Sequence, residues 1–150
     1  MTKKQVEKLE QEIEDSKKKQ EFITKIEDLL RHIHNVQAAC VLLGKRLIQS
    51  GEFEFGKKLI ANSLLHDYSK FFGAEWDSLN TESFENNKSN FLQALKQHQK
   101  CNEHHPEHWE SIDEMPRIYQ AEMVCDWWSR STEMGTDPVS YTHLTLPTKA

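Results

Sequence analysis

His66 and Asp67 stand side by side after the apolar run 59–65, and an imidazole beside a carboxylate can hold one divalent cation between them. A single pair of this kind is common and says little. Its weight comes from the other donors in the chain: His32 upstream, His98, His104, His105 and His108 downstream, and Asp126 inside a second apolar stretch. Imidazole with carboxylate suits Zn, Mn, Fe, Co or Ni better than Ca. Cys40, Cys101 and Cys125 lie far apart and form no CxxC pair, so they do not supply a thiolate zinc site and are read as reduced thiols of a cytoplasmic protein.

These donors need rigid elements to bring them together. Ile26, Leu29, Ile33, Val36, Cys40, Leu43 and Leu47 follow helical spacing up to a stop at Ser50 and Gly51, which predicts a core helix carrying both His32 and His34. At about 100° per residue, the apolar arc centres about 60° from His32 and about 140° from His34. His32 should therefore face inward and His34 outward. A second helix is expected over roughly 55–66, a loop with at most a short helix over 73–89, a helix over 91–100, and irregular chain over 101–116, where two prolines fall. Pro116 then opens a helix through Ile118, Tyr119, Ala121, Met123, Val124, Cys125, Trp127 and Trp128; it reads as apolar almost all round and hence buried. No strand of any length is indicated, and the fold class is all-α, a helical bundle with a metal site between helices.

Asp126 is the residue that most needs a partner. Amid Val124, Cys125, Trp127 and Trp128, an ionised carboxylate bears a desolvation cost of several kcal/mol unless it is paired or bound to a metal. A metal is one partner, and an internal ion pair with Arg130 is the alternative. Glu122, one turn earlier, reads as a further ligand or as a group backing one. His98, His104 and His105 are weaker candidate ligands, since a fortuitously His-rich solvated loop accounts for them as well, and His108 is weaker still.

The order His32, then His66-Asp67, then a late Asp126 resembles the HD-domain superfamily of metal-dependent phosphohydrolases. In those enzymes the first His is followed four residues later by a small apolar residue, as Val36 follows His32. The resemblance implies that His32, His66, Asp67 and Asp126 hold a divalent metal ion (Mn, Co, Ni, Fe, Mg or Zn). It implies that His98, His104 and His105 correspond to the extra histidines of members that hold two metals. Lys70 matches the lysine of an H-D-x-x-K version of the motif, where a cation would stabilise phosphate oxygens. The stretches 65–71, 104–109 and 115–128 also resemble small uncharacterised HD-like proteins of bacteria and their viruses, which are placed by motif rather than by activity.

The expectation is an HD-type metal-dependent phosphohydrolase acting on a nucleotide or other small phosphorylated metabolite. Asp67, Lys70 and Glu122 are its catalytic candidates, with Asp67 orienting water, Lys70 stabilising phosphate and Glu122 transferring a proton. The alternative is a catalytically silent HD-like metal-binding or helical interaction module. A length of 150 residues allows one core, and a net charge of -5 argues against an extended nucleic-acid partner. No apolar stretch reaches the length of a membrane span. Residues 1–25 read as a charged N-terminal helix, with a short coiled-coil dimerisation arm and thus a homodimer as the alternative reading. The HD-like domain is placed at 26–138 and expected to be truncated at its C-terminus. Residues 139–148 resemble the translation of a transposase adapter used in preparing sequencing libraries, and 139–150 are set aside as a foreign tail.

Overall fold

The computed structural model describes residues 1–79 and 88–136. The foreign-looking tail, and the part of the expected loop at 80–87, lie outside the described residues. The described residues form five α-helices and no strand: α1 (Lys3–Gln49), α2 (Phe53–Ser63), α3 (Gly73–Ser78), α4 (Lys88–Cys101) and α5 (Arg117–Met134). One-turn 3-10 helices at Tyr68–Phe71 and Pro106–His108 complete the chain. The fold is all-α. Among the described residues, no helix is long and apolar enough to cross a membrane.

Two compact units divide the chain, Met1–Arg31 and His32–Ala150. In the first, Thr2 and Gln5 cap the start of α1 reciprocally: the Thr2 backbone N–H donates to Gln5 Oε1 at 2.7 Å and the Gln5 N–H to Thr2 Oγ1 at 3.4 Å. Exposed pairs one turn apart, Lys3 with Glu7 and Lys8 with Glu12, line its surface, and each adds only a few tenths of a kcal/mol.

The second unit holds the core. Val36, Cys40, Leu59, Ile118 and Cys125 form its buried centre, flanked by Leu43, Leu47, Phe55 and Ala121. Gly44 and Gly56 let α1 and α2 approach backbone to backbone. A methyl at Gly44 would lie 2.8 Å from the Gly56 carbonyl oxygen, and one at Gly56 would collide with the Gly44 carbonyl oxygen.

Helix α5 departs from the expectation of burial on all sides: Val124 and Trp128 are 50% and 59% exposed. One face of the helix is apolar but open, and Asp126 lies toward the other. The helix ends in a Schellman cap, with Gly135 left-handed, Thr136 N–H bonded to the Ser131 carbonyl at 2.8 Å and Gly135 N–H to that of Thr132 at 3.2 Å. This cap fixes the last turn, where Glu133 sits.

Candidate metal centre

The interior of the second unit holds an unusual number of polar groups. His32, His66, Asp67, Glu75, His98, Asn102, His104 and Glu122 are all buried, and such groups are costly inside a fold unless each finds a partner. The geometry shows how they are partnered.

His32 faces inward from α1 and His34 is exposed, as the helical phase predicts. His32 Nε2 lies 2.9 Å from Asp126 Oδ1. Its other nitrogen, Nδ1, donates to Glu133 Oε1 at 3.0 Å. Glu133 is itself held by Asn35 Nδ2 at 3.0 Å and Arg130 Nη1 at 3.1 Å. Arg130 therefore pairs with Glu133, while Asp126 turns to the histidines.

His66 and Asp67 follow α2 in a tightened turn, where the His66 N–H bonds to the Ser63 carbonyl at 3.2 Å. Asp67 then adopts a left-handed backbone, φ 55° and ψ 25°, and is the one non-glycine residue among those described with positive φ. Asp tolerates this conformation better than most residues. The reversal lets neighbours in sequence aim at one place: Asp67 Oδ1 lies 3.7 Å from His66 Nε2, 3.5 Å from His98 Nε2 and 3.2 Å from His104 Nε2.

His66, His104 and His98 are, like His32, backed by a carboxylate. His66 Nδ1 donates to Glu122 Oε1 at 3.0 Å, and His104 Nδ1 approaches the same oxygen at 3.3 Å. His98 Nδ1 donates to Glu75 Oε2 at 2.8 Å. Glu75 also accepts from Ser69 Oγ, which in turn accepts from Asn102 Nδ2 at 2.7 Å. Gln97 fixes the start of α3 by accepting from the Ala74 N–H at 2.7 Å and donating to the Phe72 carbonyl at 2.9 Å; Glu75 is thereby placed. A carboxylate on Nδ1 sets the tautomer and leaves the Nε2 lone pair free for a cation.

That lone pair has nothing to meet. His66 Nε2, Asp67 Oδ1, His104 Nε2 and His105 Nε2 are buried and make no hydrogen bond. Two sets of donors, each with its atoms within 4.8 Å of one another, could hold ions: His32, His66 and Asp126, and Asp67, His98, His104 and His105. Asp67 Oδ1 stands between the two sets. A third set, His66, His104 and Glu122, meets the same distance criterion, but it is the one already closed by hydrogen bonds. The donors thus fit a borderline divalent cation, bound by nitrogen and oxygen.

The electrostatics agree. Burial pushes the Asp67 carboxyl up, but His104, 3.2 Å away, and the charges of His66 and His98 outweigh it and hold it well below the usual range. Asp126 is lowered against its burial in the same way, chiefly by His32. Burial alone would lower His104, yet Asp67 and Glu122 push it up to about 10. His105 moves oppositely, lowered to about 3 by burial and by His104 and His98. In the absence of metal, protons on imidazoles do part of the work of neutralising Asp67, Glu122 and Asp126.

Lys70 Nζ lies 3.6 Å from Glu75 Oε2, so in this structure its charge is met by Glu75. His108 is turned away, with Nδ1 donating to the Gln99 carbonyl at 3.0 Å. Glu75 and Glu133 belong to the buried cluster and were not among the candidates that the sequence offered. Glu133 had a signal, since it follows Asp126 by two helical turns and shares its face; Glu75, in a short helix within an expected loop, had none.

An all-α unit enclosing a buried cluster of histidines and carboxylates is the class of protein that this fold and site define. Residues 21–146 match the family described as Family of unknown function (DUF5662), and the chain belongs to that family. The matched range runs past residue 138 into the segment set aside as a tail. No curated protein matches the chain. No solved structure matches it either.

Proposed function

We propose that this protein is a metal-dependent phosphohydrolase of the HD type, cytoplasmic, acting on a nucleotide or another small phosphorylated metabolite. The observation that carries the reading is the set of buried, unpartnered donor atoms, His66 Nε2, Asp67 Oδ1, His104 Nε2 and His105 Nε2, all belonging to residues of the motif that resembles the HD superfamily. Orphaned atoms of this kind are costly in a fold, and a divalent cation would satisfy all four.

His32, His66, Asp67 and Asp126 would hold one ion, and Asp67, His98, His104 and His105 a second. When bound, such ions polarise a phosphoryl oxygen and acidify water at neutral pH. The chain's own contribution is orientation. Glu133, Glu122 and Glu75 fix the rings of His32, His66, His104 and His98 through Nδ1. Asp126, 13% exposed at its side chain against 4% for Asp67, is the more open of the two sets' acidic groups. Glu122 is better suited to backing His66 and His104 than to moving a proton, because Oε1 is engaged by both. Lys70 would act through Glu75 or, swinging from it, on phosphate. The net charge of -5 supports a small substrate over a nucleic-acid strand.

The test is elemental analysis of the purified protein, followed by a phosphatase screen of nucleotides and sugar phosphates with Mn, Co, Ni and Mg. Release of phosphate that needs the metal and disappears in Asp67→Ala supports the reading. Bound metal with no activity on any phosphate ester would favour a silent metal-binding module.

A further inference from the structure

A cavity of about 280 Å³ lies beside the cluster, lined among others by Asn62, Tyr68, Glu103, His104, Tyr119 and Glu122. Of the residues whose donors face the candidate metal positions, only His104 lines it. Glu122 forms part of its wall, and Glu122 Oε1 takes the Nδ1 side of His66 and His104. Glu122 thus joins the cavity wall to the Nδ1 edge of these rings, whereas Asp67 Oδ1 faces their Nε2 atoms.

Two carboxylates, two phenols and the amides of Asn62 and Asn102 line the cavity, with no lysine or arginine; its one cationic group is His104, raised to about 10 and already met by Asp67 and Glu122. The Tyr119 hydroxyl is pushed up by burial and by the charges of Glu103 and Glu122, a sign that the space carries negative potential. Asn62 Nδ2 is buried and without a hydrogen-bond partner, a donor that a bound acceptor would satisfy. Such a lining disfavours phosphates and carboxylates. It suits a cation on an aromatic or apolar body, since phenol faces attract ammonium and guanidinium groups.

We propose that this cavity is a second ligand site, taking a small organic cation: an ammonium or guanidinium group for Glu103 and Glu122, a body lying against Tyr68 and Tyr119, and an oxygen acceptor for Asn62 Nδ2. The site stands independently of the phosphohydrolase reading, because no metal-facing carboxylate contributes to it. A ligand bound there would touch Glu122, the carboxylate that orients one imidazole of each candidate metal set. Occupancy would thus be felt at the metal centre without blocking it.

Three probes with the same phenol ring and different charge test this: tyramine, neutral para-ethylphenol and anionic para-hydroxyphenylpropionate, titrated into the full-length protein at constant ionic strength and followed by NMR. Tyramine should bind saturably, about tenfold tighter than para-ethylphenol, and the anion should not bind. Glu103→Gln, a change at an exposed position, should remove most of the preference for tyramine. Asn62→Leu should weaken it with the fold intact by circular dichroism. Equal binding of tyramine and para-ethylphenol, no saturable binding of tyramine, or tyramine binding untouched by both substitutions would each overturn the proposal.

Discussion

Glu122 of α5 and His66 of the turn after α2 meet inside the protein, Oε1 to Nδ1 at 3.0 Å, from positions 56 residues apart. The contact turns His66 so that Nε2 points at Asp67 and Asp126. His32 with Glu133 and His98 with Glu75 repeat the arrangement. Three carboxylates stand behind four imidazoles, the arrangement that orients histidines towards a cation, and the proposed metal would give it a purpose.

The first prediction separates two histidines on one helix. His32→Ala removes a buried donor 2.9 Å from Asp126 and should sharply reduce metal occupancy, whereas His34→Ala, at an exposed position, should leave it near wild type. Metal content of the two purified variants decides it. Equal losses would show that His32 is a structural histidine only.

A second prediction concerns the groups behind the ligands. Glu75→Gln weakens the acceptor on His98 Nδ1 and should lower affinity at the Asp67, His98, His104 and His105 set by about 10- to 100-fold. The His32, His66 and Asp126 set should be affected less. Manganese titration followed by calorimetry would show one class of sites weakened. Unchanged isotherms would mean that Glu75 serves Ser69 and Lys70 rather than His98.

The pH dependence of the metal-free protein has a definite sign. His104 is raised to about 10, and His32 is raised as well, from an ordinary value of 6.5; the stability they contribute is whole below pH 6.5 and is lost as pH rises towards 10. His105 is lowered to about 3, so its burial costs more as pH falls from 6.5 towards 3. Asp67 and Asp126 are lowered from 3.8, and their contribution is lost below that range. The chelated protein should therefore have its highest Tm near pH 6.5. Saturating manganese takes the place of the His104 proton and should move the optimum to higher pH. A Tm of the chelated protein that climbs steadily to pH 9 would contradict this.

The contact of α1 with α2 gives a prediction about stability alone. A methyl at Gly56 would meet the Gly44 carbonyl oxygen and Ile48, backbone that cannot move aside without separating the helices. Gly56→Ala should destabilise by about 1–3 kcal/mol, read from urea unfolding. Gly51→Ala would meet nothing within 4 Å, and its cost would come only from the positive φ of 101°.

The helices and the candidate donor set were legible in the sequence because both repeat or cluster. The period of Ile33, Val36, Cys40 and Leu47 gave the phase of α1, and that phase placed His32 inside. His66, Asp67 and Asp126 were legible because a carboxylate and an adjacent pair in apolar surroundings are conspicuous. What pattern could not carry was the tertiary partnering. Glu75 is recognisable only once Gln97 has fixed α3 against α4, and the pairing of Arg130 with Glu133 rather than Asp126 depends on where α5 meets α1. The apolar look of α5 misled for a simple reason: Val124 and Trp128 are hydrophobic yet exposed, and residue type alone does not report burial.

The measurement that bears most directly on the central claim is the metal stoichiometry of the purified protein, by elemental analysis after saturation with manganese and removal of excess ion. Two equivalents per chain, falling in Asp67→Ala at both positions because Asp67 Oδ1 stands between both donor sets, is the predicted result. A wild-type protein that retains no metal, with a Tm unmoved by manganese, would contradict it.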